Sequence, residues 1–137
     1  MAKSRKVWML APAKKSKATI PPTVKADLER KAKELIETVL KPQHVQPPPK
    51  DRDWNYITDI FTKWHGSYFY FCSTYACPST NAISPTFESR FARMEFVGNA
   101  KFSLAYMRHT GEWFGMYDAL SVDDCLAAIQ NDPWFSP

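Results

Sequence analysis

The sequence predicts an α+β domain with an N-terminal amphipathic helix, an antiparallel meander of about five strands and a short C-terminal helix packed on the sheet. Three observations lead to this prediction. Apolar residues recur with a helical period over 24–40, and aromatic or β-branched runs separated by short turns fill 54–117. A capped amphipathic pattern then begins at Ser121.

The first helix is predicted over 24–40, where the apolar positions form one stripe. Thr23 is of a residue type that caps helix N-termini, and Pro42 is expected to end the helix because proline lacks a backbone N–H. Residues 43–53 contain three consecutive prolines, which favour a stiff extended connector. The stripe comprises Leu28, Ala32, Leu35, Ile36, Val39 and Leu40.

The next two runs predict a β-hairpin. Trp54–Trp64 and Ser67–Tyr75 are rich in aromatic and β-branched residues, and His65-Gly66 joins them. Tyrosine and phenylalanine alternate over Tyr68–Phe71, so large rings point to both faces of the second strand. We therefore expect this hairpin to be central in the sheet and covered on both sides.

Three further strands are predicted after a loop at 76–86, over Phe87–Val97, Lys101–His109 and Glu112–Tyr117. Short turns connect them, which favours an antiparallel meander.

The C-terminal helix is predicted to begin after Ser121, which forms a variant capping box with Asp124. Asp132-Pro133 is expected to end it. Its apolar face comprises Val122, Cys125, Leu126 and Ile129.

Positive charge is concentrated at the start of the sequence. The net charge is +4, yet residues 26–137 contain 11 basic and 14 acidic residues, a balance of −3. We expect residues 1–22 to form a flexible basic arm, because like charges and prolines oppose ordering, and residues 23–137 to form a single domain. The basic residues up to position 25 are Lys3, Arg5, Lys6, Lys14, Lys15, Lys17 and Lys25.

Composition also bounds the function class. Three cysteines without a secretory signal favour the cytoplasm, and no apolar run approaches the length of a membrane span. The sequence contains no cofactor fingerprint and no recognisable catalytic motif, so we expect no cofactor and lean against an enzyme.

Cys72, Cys77 and His65 are the weak candidates for a metal site, with His109 as a further nearby imidazole. A structural zinc site requires four ligands, and here one loosely spaced cysteine pair is present. Core packing of Cys72 is the simpler interpretation, since a cysteine on an aromatic strand usually acts as a small hydrophobic residue.

Arg108, His109 and Glu112 bring a cation, an imidazole and a carboxylate to one predicted hairpin turn. These are the parts of a general acid–base or phosphodiester site, and they are the catalytic candidates. Adjacent strand residues point to opposite faces, however, so solvated turn residues are the simpler interpretation.

Aromatic strands beside basic residues are typical of single-strand nucleic-acid platforms. Here no Lys or Arg occurs between Lys63 and Arg90, which favours a core or a protein interface for the rings of the second strand. The density of positive charge needed for phosphate contacts is found in the arm, at Lys3, Arg5, Lys6, Lys14, Lys15 and Lys17.

Five segments are distinctive in combination: NYITDI, YFYFCSTYACP, NAISPTFESRFARMEF, AYMRHTGEW and LSVDDCLAAI. Through them the chain resembles, over nearly its full length, a family of small bacterial proteins of unassigned function, a domain of unknown function. The resemblance implies a bacterial cytoplasmic protein with one self-contained domain. It supplies no catalytic or binding residue.

The leading hypothesis is a non-enzymatic binding or assembly module that uses an aromatic surface and the basic arm. Its partner would be an unidentified protein or a second copy of the chain. The rings expected to remain exposed are Trp8, Trp54, Trp64, Trp134 and Phe135. Two alternatives stay open, namely weak non-specific nucleic-acid binding through the arm and a small hydrolase or nuclease that uses Arg108, His109 and Glu112.

Overall fold

A computed structural model describes residues 19–45, 47, 54–79 and 82–137. The predicted α+β class is confirmed: an N-terminal helical segment precedes a five-stranded antiparallel meander, and a C-terminal helix follows it. The elements are α1 (Pro22–Leu35), a π-helical segment (Ile36–Leu40), α2 (Lys41–His44), β1 (Tyr56–His65), β2 (Tyr68–Ala76), β3 (Thr86–Gly98), β4 (Lys101–Met107), β5 (Trp113–Ser121), α3 (Val122–Asn131) and a 3₁₀ turn (Pro133–Phe135).

The N-terminal helix is longer than predicted, and both of its predicted end residues are wrong. Pro21 occupies the N-cap without a side-chain hydrogen bond, and Pro22 follows as the first helical residue instead of Thr23 acting as cap. A proline is well tolerated there because that N–H has no partner within the helix. Pro42 does not end the helix either, since the chain stays helical to His44.

The π-helical segment explains how Pro42 is accommodated. The Lys41 N–H donates to the Ile36 carbonyl, five residues back, so the α-helical bonding pattern is already interrupted before the proline. Pro42 then lies in the first turn of α2, where a missing N–H costs little. The helix ends at Val45, whose backbone is extended, and most of the predicted connector lies outside the described residues.

The strands pair in chain order from β1 to β5, so β1 and β5 form the edges of the sheet. The N-terminal helical segment and α3 pack on one side, which we call the helix face. The expectation that the first hairpin is central and covered on both sides is therefore wrong. On the opposite side, which we call the open face, side chains of the neighbouring strand β3 lie over the rings of β2.

The hydrophobic core lies between the helix face and the two helices. Phe71, Phe102 and Met94 are fully buried from the sheet side, and Leu28 and Ile129 meet them from the helices. Burial of these side chains is the main stabilising contribution that holds the helices on the sheet.

The C-terminal segment closes one edge of this core. The predicted cap is confirmed, because the Ser121 side chain accepts a hydrogen bond from the Asp124 N–H at 3.1 Å. Phe135 is buried in the core, whereas Trp134 stays exposed. The Tyr75 hydroxyl donates to the Pro137 carbonyl at 2.8 Å, which fastens the last residues to β2.

Replacing Ser121 with alanine removes this cap, and we expect the free energy of unfolding to fall by about 1 kcal/mol. Urea denaturation measures the change. Ser67→Ala, at the β1–β2 turn, is the matched control and should leave stability within about 0.5 kcal/mol. An equal loss in both variants would contradict the capping role.

Candidate functional site

Five side chains form a connected group on the open face. Tyr68 and Tyr70 come from β2, Arg90 and Arg93 from β3, and Trp113 from β5. We call this group the open-face cluster. Tyr70 is buried, and the other four side chains are half-buried.

A β-bulge places the two arginines on the same face. Residues three apart on a regular strand point to opposite sides of a sheet. Here Tyr70 pairs with Arg93 and Cys72 pairs with Arg90, and the register shifts between these pairs. The extra residue in β3 lets both guanidinium groups lie over the tyrosines of β2.

The rings and guanidinium groups alternate across the cluster. The Arg93 guanidinium carbon lies 4.5 Å from the Tyr68 ring centroid and 4.9 Å from that of Trp113. The Arg90 guanidinium carbon lies 4.5 Å from the Tyr70 ring centroid. These distances are typical of cation–π contacts, which hold both planar cations in place on the sheet.

Small residues allow Trp113 to reach Arg93 from the far edge of the sheet. Arg93 pairs with Ala105 on β4, and Ala105 pairs with Gly115 on β5. No large side chain stands between the indole and the guanidinium, so the Trp113 ring also lies 5.7 Å from that of Tyr70. The cluster therefore spans four strands.

The positive charge of the cluster is only partly neutralised. Arg90 lies 3.7 Å from Glu88, and the same carboxylate binds Lys63. The hydrogen bond from Lys63 is the main reason that the pKa of Glu88 is lowered. Within the described residues, Arg93 forms no ion pair with a carboxylate. The Arg93 guanidinium is instead contacted by the rings of Tyr68 and Trp113.

Cys72 lies beneath this charged layer. Burial raises the pKa of its thiol to about 11, and the nearby Glu88 carboxylate adds to the shift. Cys125, in α3, has its pKa raised to about 12 by burial. Cys77 follows β2 and is half-buried, and all three thiols are free.

The different burial of the thiols predicts their reactivity. At a pH near 8, a thiol with a pKa of about 11 is ionised in about one molecule per thousand, and the thiolate is the nucleophile. We expect iodoacetamide to modify Cys77 first in the folded protein and to leave Cys72 and Cys125 almost unmodified. Peptide mass spectrometry measures this order. Equal labelling of Cys72 and Cys77 would contradict the buried position of Cys72.

The metal candidates lie apart from one another. Cys72 pairs with Phe61, whereas His65 pairs with Tyr68 at the hairpin end, about 13 Å along the strands. Cys77 follows the opposite end of β2. Across the described ranges, no three His, Cys, Asp or Glu side chains are placed to hold a metal ion.

Arg108, His109 and Glu112 lie in the exposed β4–β5 turn. The turn is closed by two backbone bonds, from the Arg108 N–H to the Glu112 carbonyl and from the Gly111 N–H to the Arg108 carbonyl. Arg108 and His109 line a hollow of about 440 Å³ with Trp134, and Glu112 is not part of its lining. The catalytic role of the three residues stays a prediction.

The predicted ring exposure is partly correct. Trp54 and Trp134 are 66% and 57% exposed, whereas Phe135 is buried and Trp64 is half-buried. The Trp64 indole donates to Glu29 at 2.8 Å and its ring contacts Phe69, so it belongs to the packed helix face. Trp8 and the basic arm candidates between Lys3 and Lys17 lie outside the described residues.

The distribution of charge along the chain does not predict the open-face cluster. Arg90 lies twenty residues after Tyr70 in sequence, yet the antiparallel register brings it over that ring. The register places Arg93 opposite Tyr70, but Arg90 lies opposite Cys72, and sequence spacing does not show the bulge between these pairs. The contribution of Trp113 needed the three-dimensional arrangement.

Residues 20–137 match the family model of DUF3024, a domain of unknown function. The chain belongs to this family, and the resemblance to proteins of unassigned function is confirmed. The matched range includes the open-face cluster and every described helix and strand. Comparison with curated proteins and with solved structures gave no match. In the part of the chain that the structure describes, the helices lack an apolar run of the length that a bilayer crossing requires.

Proposed function

We propose that this DUF3024 protein is a non-enzymatic binding module that holds a polyanionic macromolecule on the open face of its sheet. The observation that supports the proposal most strongly is the position of Arg93, between the rings of Tyr68 and Trp113 and without an ion-pair partner among the described residues. The three free thiols support a cytoplasmic location as part of the same proposal.

Ring contacts prepare the arginines for binding. A free arginine side chain has many rotamers, and ordering it on a ligand costs about 2 kcal/mol of conformational entropy. Arg90 and Arg93 are already held over aromatic rings, so part of this cost is met during folding. A phosphate or sulfate group then binds guanidinium groups whose positions are set.

The arm adds charge to this surface. Residues 26–137 carry a balance of −3, so the cluster is a local cationic region on an acidic domain. We propose that the six basic residues of the arm supply the remaining attraction, which acts over a longer range and depends on salt. We propose that the cluster positions the ligand and that the arm increases the rate and strength of association.

The chemistry of the cluster favours binding over catalysis. Its members are two tyrosines, two arginines and a tryptophan. The carboxylate beside Arg90, that of Glu88, is held by Lys63, which lowers its pKa, so it is poorly suited to transfer protons near neutral pH. The hydrolase hypothesis rests on residues outside the cluster, in the β4–β5 turn.

Heparin chromatography tests the proposal, since heparin is a polyanion without bases. We expect Arg93→Gln to elute at a clearly lower salt concentration than the unmodified protein, because one positioned charge is lost. Arg30→Gln is the matched control on α1, where the arginine is exposed and pairs with Asp27 at 2.7 Å. An equal shift for both variants would show that net charge alone matters, and it would contradict an open-face site.

A further inference from the structure

We infer that the polyanion is a single-stranded nucleic acid, whose bases stack on the open-face cluster while its phosphates bind Arg90 and Arg93. The inference rests on the proposed function and adds the chemical class of the ligand. The aromatic rings of the cluster, rather than its charges, support this inference, because a polyanion without bases would bind only the guanidinium groups.

The cluster has the chemical composition of a stacking surface. The ring centroids of Tyr68 and Tyr70 lie 6.0 Å apart, and those of Tyr70 and Trp113 lie 5.7 Å apart. Bases stack on aromatic rings and on the planes of arginine guanidinium groups alike. Rings and guanidinium groups alternate from β2 to β5, so a strand that crosses the sheet meets stacking partners and cations in turn.

The shape of the surface favours a single strand over a duplex. Bases in a duplex already stack on one another, and they are read through grooves that admit a helix or a protruding ribbon. Both described helices pack on the opposite face of the sheet, so neither extends from the open face. The half-buried rings of Tyr68 and Trp113 and the guanidinium plane of Arg93 beside them instead suit unpaired bases that can be turned outward.

The charge distribution favours binding with little sequence preference. The side chain of Arg90 keeps 36% of its surface exposed, and Lys63 lies on the same face with 35% exposed. Glu88 neutralises part of this charge, so the cluster alone should bind weakly. Attraction of the phosphate backbone by the basic arm complements stacking that tolerates every base.

The test is fluorescence anisotropy with labelled oligouridylate of about 16 nucleotides, in parallel with heparin chromatography. We expect Trp113→Ala to weaken oligouridylate binding at least about tenfold, because a base loses its stacking partner. Heparin elution should shift less than in Arg93→Gln, because Arg93 keeps its charge and its contact with Tyr68. Trp113→Phe retains a ring and should retain most of the affinity. Trp134→Ala is the matched control, since this indole is 57% exposed and lies outside the cluster.

The possible results separate the two proposals. Arg93→Gln could weaken heparin binding while Trp113→Ala leaves oligouridylate binding unchanged. That result would contradict the nucleic-acid inference but not the polyanion site. Equal affinity for a duplex of the same length would overturn the inference as well. If Arg93→Gln changes neither heparin elution nor oligouridylate affinity, the proposed function itself is contradicted. If Trp113→Ala does not fold, Trp113→Leu replaces it in the test, because leucine keeps an apolar side chain without a ring. Equal affinities of Trp113→Leu and Trp113→Phe for oligouridylate would contradict stacking.

Discussion

Replacing Phe71 with alanine is expected to lower the free energy of unfolding by about 3–5 kcal/mol. Phe71 is 0% exposed at the centre of the helix face, and its ring packs edge-on against Phe69 at 5.7 Å and Phe91 at 6.1 Å. The substitution removes buried apolar surface and leaves a cavity that the neighbouring rings cannot fill without leaving their favoured rotamers. Urea denaturation followed by circular dichroism measures the loss.

Phe114→Ala is the control for this experiment. Phe114 is 46% exposed on the edge strand β5, although its ring still contacts Tyr106 at 5.5 Å. Its loss should therefore cost much less than that of Phe71. Comparable losses in the two variants would mean that the core does not lie between the helices and the sheet as described.

The affinity for single-stranded oligonucleotides is expected to fall by about 20- to 100-fold when salt is raised from about 50 to about 200 mM. Each phosphate contact on a single strand contributes about −0.7 to the slope of log affinity against log salt, and about three to five contacts are expected. We expect Arg90 and Arg93 to provide two of them and lysines of the arm to provide the others.

Two sets of substitutions separate the contributions of the arm and of the open-face cluster to this salt dependence. Combined Lys14→Gln, Lys15→Gln and Lys17→Gln substitutions should make the slope shallower and leave the effect of Trp113→Ala unchanged, because charge and stacking act separately. Combined Arg90→Gln and Arg93→Gln substitutions should weaken both contributions. An affinity that does not change with salt would contradict phosphate binding by either region.

Much of the fold follows from local patterns. The α3 cap at Ser121, the strand runs and the short turns each depend on a few neighbouring residues, so composition and spacing were sufficient to predict them. The Gly98-Asn99 turn is an example, since both residues adopt positive φ angles that glycine and asparagine tolerate best. Pro42 shows where local patterns fail: a proline normally ends a helix, but here the preceding π-helical segment allows the chain to stay helical through Pro42.

The open-face cluster depends on features that sequence spacing does not show. A bulge in β3 turns Arg90 and Arg93 to one side, and small residues at Ala105 and Gly115 let Trp113 reach across β4. Large rings on both sides of β2 were interpreted as evidence of cover on both sides. In the structure, arginine side chains from β3 lie over Tyr68 and Tyr70, and that cover is what makes the face a candidate site.

Photo-crosslinking of the full chain to oligouridylate that contains 4-thiouracil, followed by peptide mass spectrometry, tests the central claim most directly. We predict crosslinks in the peptide that contains Tyr68 and in the peptide that contains Trp113, which lie on different strands of the sheet. In Trp113→Ala, the crosslink to the second of these peptides should be lost. Crosslinks confined to the arm or to the helices would contradict binding on the open face.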